Sequence, residues 1–364
     1  MHILRFITPL LLLLSLGACS NDPGTVDPIS SQDLGTIDSD SDSGTTPQDM
    51  HAPDQTQDLD TLPPLDMDGN DPDQGDHGTD QGDDITHDAT ADLSQDMTSP
   101  REVDRSNIIA MDREVPVYLP EDFDNSEPIP LVVALHGYST SGGYINNYFK
   151  LEELTQQTHV AVLIPEGRRN VSQAKYWSAT DACCSGQSLN TLEDDDLLFL
   201  RDLITQAKTR YDISKVFLVG HSNGGYMSYR MACDAADLVD GIMSLAGATF
   251  NDKERCAPSR PVKILQVHGI IDPLVSYEGN ALYNIPSAND TVAYWADYNA
   301  CQTEPSQQDN ALDLIGASSP ETHITSYSGC DNDASVTLWS IEGGNHTPPL
   351  HDNFMLQVLE HLDD

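Results

Sequence analysis

The run VFLVGHSNGG contains Gly220-His221-Ser222-Asn223-Gly224, a Gly-x-Ser-x-Gly pattern. Such a pattern supports nucleophilic attack at an acyl carbon when a strand precedes the serine and a helix follows it. Here an apolar, β-branched run comes before it and a helical stretch begins after it. The turn holds the serine in a strained conformation, so its hydroxyl projects above the sheet. The glycines leave room where a side chain would collide with neighbouring strands. Backbone N–H groups at the helix start point into the same space and favour a developing oxyanion. A bare Gly-x-Ser-x-Gly is common. The flanking strand and helix and the double glycine separate this one from a glycine-rich turn without chemistry.

A serine hydroxyl needs a base and a group to orient that base. Behind a turn of this kind the chain order is serine, acid, histidine. VKILQVHGIIDPLVSY supplies a strand, then His268-Gly269, then Asp272 before Pro273. VTLWSIEGGNHTPP supplies a strand, then Gly343-Gly344, then His346 before the last helix. Ser222, Asp272 and His346 are therefore the candidate catalytic residues. The competing readings are a loop-capping carboxylate at Asp272 and a surface or core-edge histidine at His346. His136 and His268 sit in His-Gly steps, where they are expected to fix loops. His323 and His361 lie in polar or terminal stretches, and His351 at a helix start suits a surface role. An oxyanion hole needs two donors. The backbone N–H of Asn223 is one. The N–H of Tyr138 is the other, in the loop His136-Gly137-Tyr138 after an early strand; a tight turn alone is the alternative.

These residues need a scaffold. Strand-length apolar runs occur at 131–135, 160–164, 216–219, 241–245, 262–267 and 336–341, each bounded by Gly, Pro or polar clusters. Helical stretches at 192–211, 223–236, 289–300 and 351–362 lie between or after them. The first carries Glu193, Asp194, Asp195 and Asp196 at its start and Lys208 and Arg210 at its end, as the helix dipole favours. The alternation predicts an α/β fold: a mostly parallel sheet with helices on both faces. No internal repeat is seen, and no second boundary after residue 103.

The rest of the 364-residue chain is different in kind. With 17 Lys+Arg against 59 Asp+Glu, the net charge of −42 excludes nucleic-acid binding through a basic face. Between Ser20 and Pro100 stand 21 Asp and no Glu, Lys or Arg. Such a segment buries too little apolar surface to offset its ordering entropy, and like charges swell it. It reads as a tether spanning roughly 50 Å as a flexible coil and about 270 Å fully stretched. Asp66, Asp68, Asp71 and Asp73 are closely spaced, but no acidic residue closes the loop at EF-hand spacing. Residues 1–18, MHILRFITPLLLLLSLGA, have the basic start and short apolar run of an export signal.

Cys183, Cys184, Cys233, Cys256, Cys301 and Cys330 make an even set, which in an exported chain argues for disulfides. Spacing favours no connectivity. The local pairs Cys301–Cys330 and Cys233–Cys256 would staple two long connections, leaving Cys183–Cys184 as a vicinal pair or forcing a rearrangement. Zinc is the rival, but there is no CxxC and no histidine at ligand spacing.

Two resemblances extend this reading. Leu16-Gly17-Ala18-Cys19 resembles the lipobox of bacterial lipoproteins. That resemblance implies cleavage before Cys19, a lipid on its thiol, and a place in the cell envelope, the outer membrane or the cell surface. Further along, LHGYSTSG, AKYWSATDACC, LEDDDLLFLRDLI, GHSNGGYMSYRMAC, HGIIDPLVSYEG and EGGNHTPP occur in that order. Together they resemble the polyhydroxybutyrate-depolymerase-like esterases, which include feruloyl and acetylxylan esterases, over most of 103–362. The resemblance implies an α/β-hydrolase fold without a large lid and no metal or organic cofactor. It implies Ser222 as nucleophile, Asp272 as acid, His346 as base, and Tyr138 and Asn223 as oxyanion donors. Trp177, in the YWSA segment, is a candidate for lining the substrate site or a core tryptophan. Many relatives carry an aromatic soon after the histidine, where this chain has Pro348-Pro349. The expected organisation is a signal at 1–18, a lipidated cysteine and tether at 19–102, and an esterase domain at 103–364. The expected partners are the membrane, through Cys19, and an ester on a plant polysaccharide, with polyhydroxyalkanoate as the alternative polyester. A surface-displayed binding domain with a decayed site is the rival of another class.

Overall fold

The computed structural model describes residues 102–184 and 194–364. The stretches read above as an export signal and a tether, with Cys19, fall at 1–101, outside the described residues, save for residue 102.

Strands β1 (Ile108–Ala110) and β2 (Arg113–Val115) pair as a short antiparallel ribbon. Next come β3 (Val117–Tyr118), β4 (Ile129–Leu135), helices α1 (Gly142–Phe149) and α2 (Leu151–Thr158), and β5 (Ala161–Leu163). A hairpin of β6 (Arg168–Arg169) and β7 (Lys175–Tyr176) precedes α3 (Asp195–Arg210). Then follow β8 (Ile213–His221), α4 (Asn223–Asp234), β9 (Gly241–Leu245), β10 (Lys263–Gly269) and α5 (Ala288–Tyr298). The chain finishes with β11 (Ser306–Leu312), β12 (Thr322–Tyr327), β13 (Val336–Ile341) and α6 (Phe354–Asp363). The large sheet has the order β11-β12-β13-β10-β9-β8-β4-β5-β3. The six strands from β13 to β5 run parallel; at the edges β3 pairs antiparallel with β5, β12 with β13, and β11 with β12.

Side-chain alternation explains the layers. In β4, Leu131, Val133 and Leu135 enter one apolar cluster, while Val132 and Ala134 enter the other. In β8, Val216 and Leu218 face the first and Phe217 and Val219 the second. Strands apolar on both faces must be covered on both. Phe199 and Leu203 of α3, Tyr226 of α4 and Trp295 of α5 cover one face. Ile145 and Phe149 of α1, Leu154 of α2, and Phe354 and Val358 of α6 cover the other. The fold is a mostly parallel α/β sandwich, as the residue pattern predicts.

The acidic start of α3 does more than complement the helix dipole. Asp196 is buried; it pairs with Arg113 at 3.1 Å and accepts the Ser178 N–H at 2.9 Å, tying the N-terminal ribbon and the YWSA segment to the helix. The disulfides are Cys183–Cys184, Cys233–Cys256 and Cys301–Cys330.

Candidate active site

Ser222 sits between β8 and α4 with φ 54° and ψ −121°. For a non-glycine residue this conformation is strained by about 1–3 kcal/mol and persists only where its surroundings enforce it. They do so on both sides. The Ser222 N–H donates to the Leu245 carbonyl at 2.8 Å, and its carbonyl accepts the Tyr226 N–H, the first turn of α4, at 3.0 Å. Close approach of the backbone requires the glycines here. A Cβ on Gly220 would lie 2.2 Å from the Gly224 carbonyl oxygen, and one on Gly224 would lie 2.0 Å from that of Leu135.

The acid and the histidine sit on loops after β10 and β13, neighbours in the sheet. Main-chain bonds stitch the loops together: Ile270 N–H to the Ile341 carbonyl and Ile271 N–H to that of Gly344, both 3.0 Å. His346 Nδ1 lies 2.7 Å from Asp272 Oδ2. The carboxylate accepts at its other oxygen from the N–H groups of Leu274 (2.8 Å) and Val275 (3.0 Å). His268 Nε2 donates to the Val275 carbonyl at 2.9 Å and stands 3.4 Å from Asp272 Oδ2. Burial would raise the Asp272 pKa. Bonds from His268, His346 and the backbone outweigh it and hold the carboxyl well below the usual range, so it is ionised. Asp272 is thus no mere loop cap, although it caps its loop as well.

His346 is brought beside the serine turn. His221, next to Ser222, donates from Nε2 to the His346 carbonyl at 2.8 Å, and the two rings are 5.0 Å apart. On the far side, a Cβ on Gly137 would stand 3.4 Å from that of Ser222, so the loop bearing Tyr138 reaches the serine too. His136 anchors that loop: its Nδ1 donates to the Gly137 carbonyl at 2.8 Å, and its Nε2 accepts the Gly167 N–H at 2.9 Å. Tyr138 itself is 38% exposed, and its hydroxyl accepts from Asn170 at 2.8 Å.

Of the two readings of Trp177, the core one fits its burial. It has no exposed surface, so it does not line the mouth. Its indole N–H donates to the His136 carbonyl at 2.9 Å, bracing the Tyr138 loop from behind. Its backbone N–H and carbonyl pair with the Asn223 side chain at 2.7 and 2.9 Å. Its partners, His136 and Asn223, stand 41 and 46 residues away along the chain, and the residue type alone does not reveal them. Sequence reading also passed over His221, treated as a spacer in Gly-x-Ser-x-Gly, and Tyr148. The Tyr148 hydroxyl donates to the Pro348 carbonyl at 2.8 Å, and its ring meets His221 edge-on. The x position of the pattern was the available signal for His221.

Residues 106–321 match the sequence family described as Putative esterase. Feruloyl esterase B of Piromyces equi is 25% identical over 249 residues, covering 64% of this chain and 42% of that protein. Putative esterase NocK of Nocardia uniformis subsp. tsuyamanensis is 26% identical over 233 residues, covering 60% of this chain and 65% of that protein. In both cases the chain spans less than two thirds of the relative's length. Probable feruloyl esterase C of Aspergillus oryzae is 25% identical over 246 residues, covering 66% of this chain and 78% of that protein. Among solved structures, the acetyl xylan esterase from Aspergillus awamori superposes with a TM-score of 0.51 at 16% identity, covering 69% of this chain and 93% of that one. That likeness shows the shared fold. With its parallel sheet and the extent of the sequence match, the chain belongs to the esterase family of α/β-hydrolases.

Proposed function

We propose that the chain is a serine carboxylic-ester hydrolase in which Ser222, His346 and Asp272 form the triad. The observation that carries this reading is the 2.7 Å His346–Asp272 pair, set beside a serine in a strained strand-to-helix turn. In the first step His346 Nε2 takes the hydroxyl proton as Ser222 Oγ attacks the ester carbonyl. Asp272 fixes the tautomer and stabilises the imidazolium. The N–H groups of Tyr138 and Asn223 receive the oxyanion. Collapse releases the alcohol, which takes the proton from His346, and leaves an acyl-serine. Water, deprotonated by His346, then attacks the acyl carbon and releases the acid, and Ser222 recovers its proton.

The substrate class proposed is feruloyl or acetyl esters of plant polysaccharide. The names of the relatives support it. Ile271 and Leu274, 63% and 50% exposed on either side of Asp272, give that loop an apolar rim suited to an acyl group. We further propose export, a lipid anchor at Cys19, and the Asp-rich segment as its tether.

Ser222→Ala should abolish hydrolysis of p-nitrophenyl acetate while leaving the melting temperature within a few degrees. A fluorophosphonate probe should label the wild-type chain at Ser222. Full activity in Ser222→Ala, or label elsewhere, would end the assignment. A panel of methyl ferulate, acetylated xylan and hydroxybutyrate oligomers separates the substrates; fastest turnover of the last would move the reading to a polyester depolymerase.

A further inference from the structure

His221 is a costly residue to bury. It is 4% exposed, and its Nδ1 has no hydrogen-bond partner among the described residues. An aliphatic side chain would fill the same space without stranding a polar nitrogen. What a histidine adds is the donor on its other side, aimed at the main-chain carbonyl of His346, 125 residues away. The ring therefore joins the turn that carries Ser222 to the loop that carries His346. Tyr148 repeats the device two residues further on, at the Pro348 carbonyl.

The surroundings fix which form of the ring is present. It faces the His346 ring at 5.0 Å, the edge of Tyr148 at 5.6 Å, and the backbone of Gly137, with Asp272 beyond His346. Burial, with the His346 ring adding to it, pushes the His221 pKa down to about 4. The neutral ring donates from Nε2, as a carbonyl partner requires. A neutral neighbour also leaves His346 free to carry the transient charge that the proposed mechanism places on it.

We infer that His221 is a positioning residue, whose Nε2–H bond to the His346 carbonyl sets the base at its working height over Ser222. This rests on the triad reading above. It adds a fourth side chain, one that touches neither substrate nor reacting atoms.

The test uses the full chain with His221→Leu, His221→Asn and His221→Gln, each alone and with His346→Ala. Glutamine can place an amide N–H near the site of the histidine Nε2; asparagine is too short, and leucine has no donor. With p-nitrophenyl acetate, Leu and Asn should lower kcat about 10–100-fold, the scale of a small misplacement, with KM within about twofold. Glutamine should regain at least about tenfold over asparagine. In the His346→Ala background none should reduce the residual rate further. By proton NMR, the downfield His346 Nδ1–H resonance should persist in wild type and the glutamine variant, and broaden or vanish in the asparagine variant. That signal does not depend on turnover, so it tests the positioning even if the chain hydrolyses no ester. If leucine does not fold, the two amides decide. Equal kcat in the glutamine and asparagine variants, an unchanged resonance in the asparagine variant, or an additive loss on top of His346→Ala would overturn the inference.

Discussion

Asp272 shows how a single residue acquires a role. Removed from water, a carboxyl would prefer to be neutral; the bonds converging on it reverse that preference. One of its oxygens is committed to backbone donors and the other to the His346 ring, which leaves the ring one workable tautomer. Asp272→Asn keeps the shape and supplies the wrong hydrogen-bond partner. It should lower kcat by about 10³–10⁴-fold with the fold retained, checked by steady-state kinetics beside circular dichroism. At this scale the triad candidates were legible because each follows an apolar strand at a glycine-marked loop. His221 and Tyr148 were not. Their partners stand 125 and 200 residues away, and a bond to a carbonyl leaves no trace in the partner's side chain. Trp177 stayed open between the core and the site for the same reason: burial behind a loop and exposure at its mouth look alike in one dimension.

The elements divide by how much of each is buried. The central strands β4, β8, β9, β10 and β13 are apolar on both faces and read directly from the chain. The edge strands do not. β11 is SQQDNAL and β12 is THITSY, polar runs whose extended form depends on pairing with β13 and with each other. The end of β4 and the start of α4 meet too closely for a side chain at Gly224. Gly224→Ala would press a methyl group into the Leu135 carbonyl, which cannot yield without shifting β4. A loss of about 3 kcal/mol by urea titration is expected, the upper end of overpacking costs. The Cys233–Cys256 bridge joins α4 to the segment before β10 across a separation of 23 residues. Replacing both cysteines with alanine should cost about 3 kcal/mol through the freed denatured chain, measured the same way under non-reducing conditions.

Across the whole molecule, two buried histidines and the half-buried His361 make the fold sensitive to acid. Burial is the first cause of a lowered pKa at His136, His221 and His361. In the unfolded chain each takes up a proton near pH 6.5, while the folded chain resists it. Their contribution is thus complete above about pH 6.5 and falls as the pH drops through their folded values, about 4 for His221. Asp272 acts in the same direction at lower pH: its contribution holds above the ordinary carboxylate range and goes only as the pH passes its depressed folded value. For His221 alone the loss is on the order of 3 kcal/mol. Urea midpoints should fall between pH 7 and pH 4.5, and His221→Gln should flatten that slope; a flat wild-type profile would contradict it. At the same scale, Cys19→Ala should move the chain from the membrane fraction to the soluble one if Cys19 is its anchor. The order β13-β10-β9-β8-β4 carries a final consequence. Histidine, acid, serine and the Tyr138 loop all hang from the ends of this contiguous middle, while the polar β11 and β12 lie outside it. Heat should therefore fray the margins first and spare catalysis, so that thermal inactivation coincides with collapse of the whole domain and shows no earlier phase of its own.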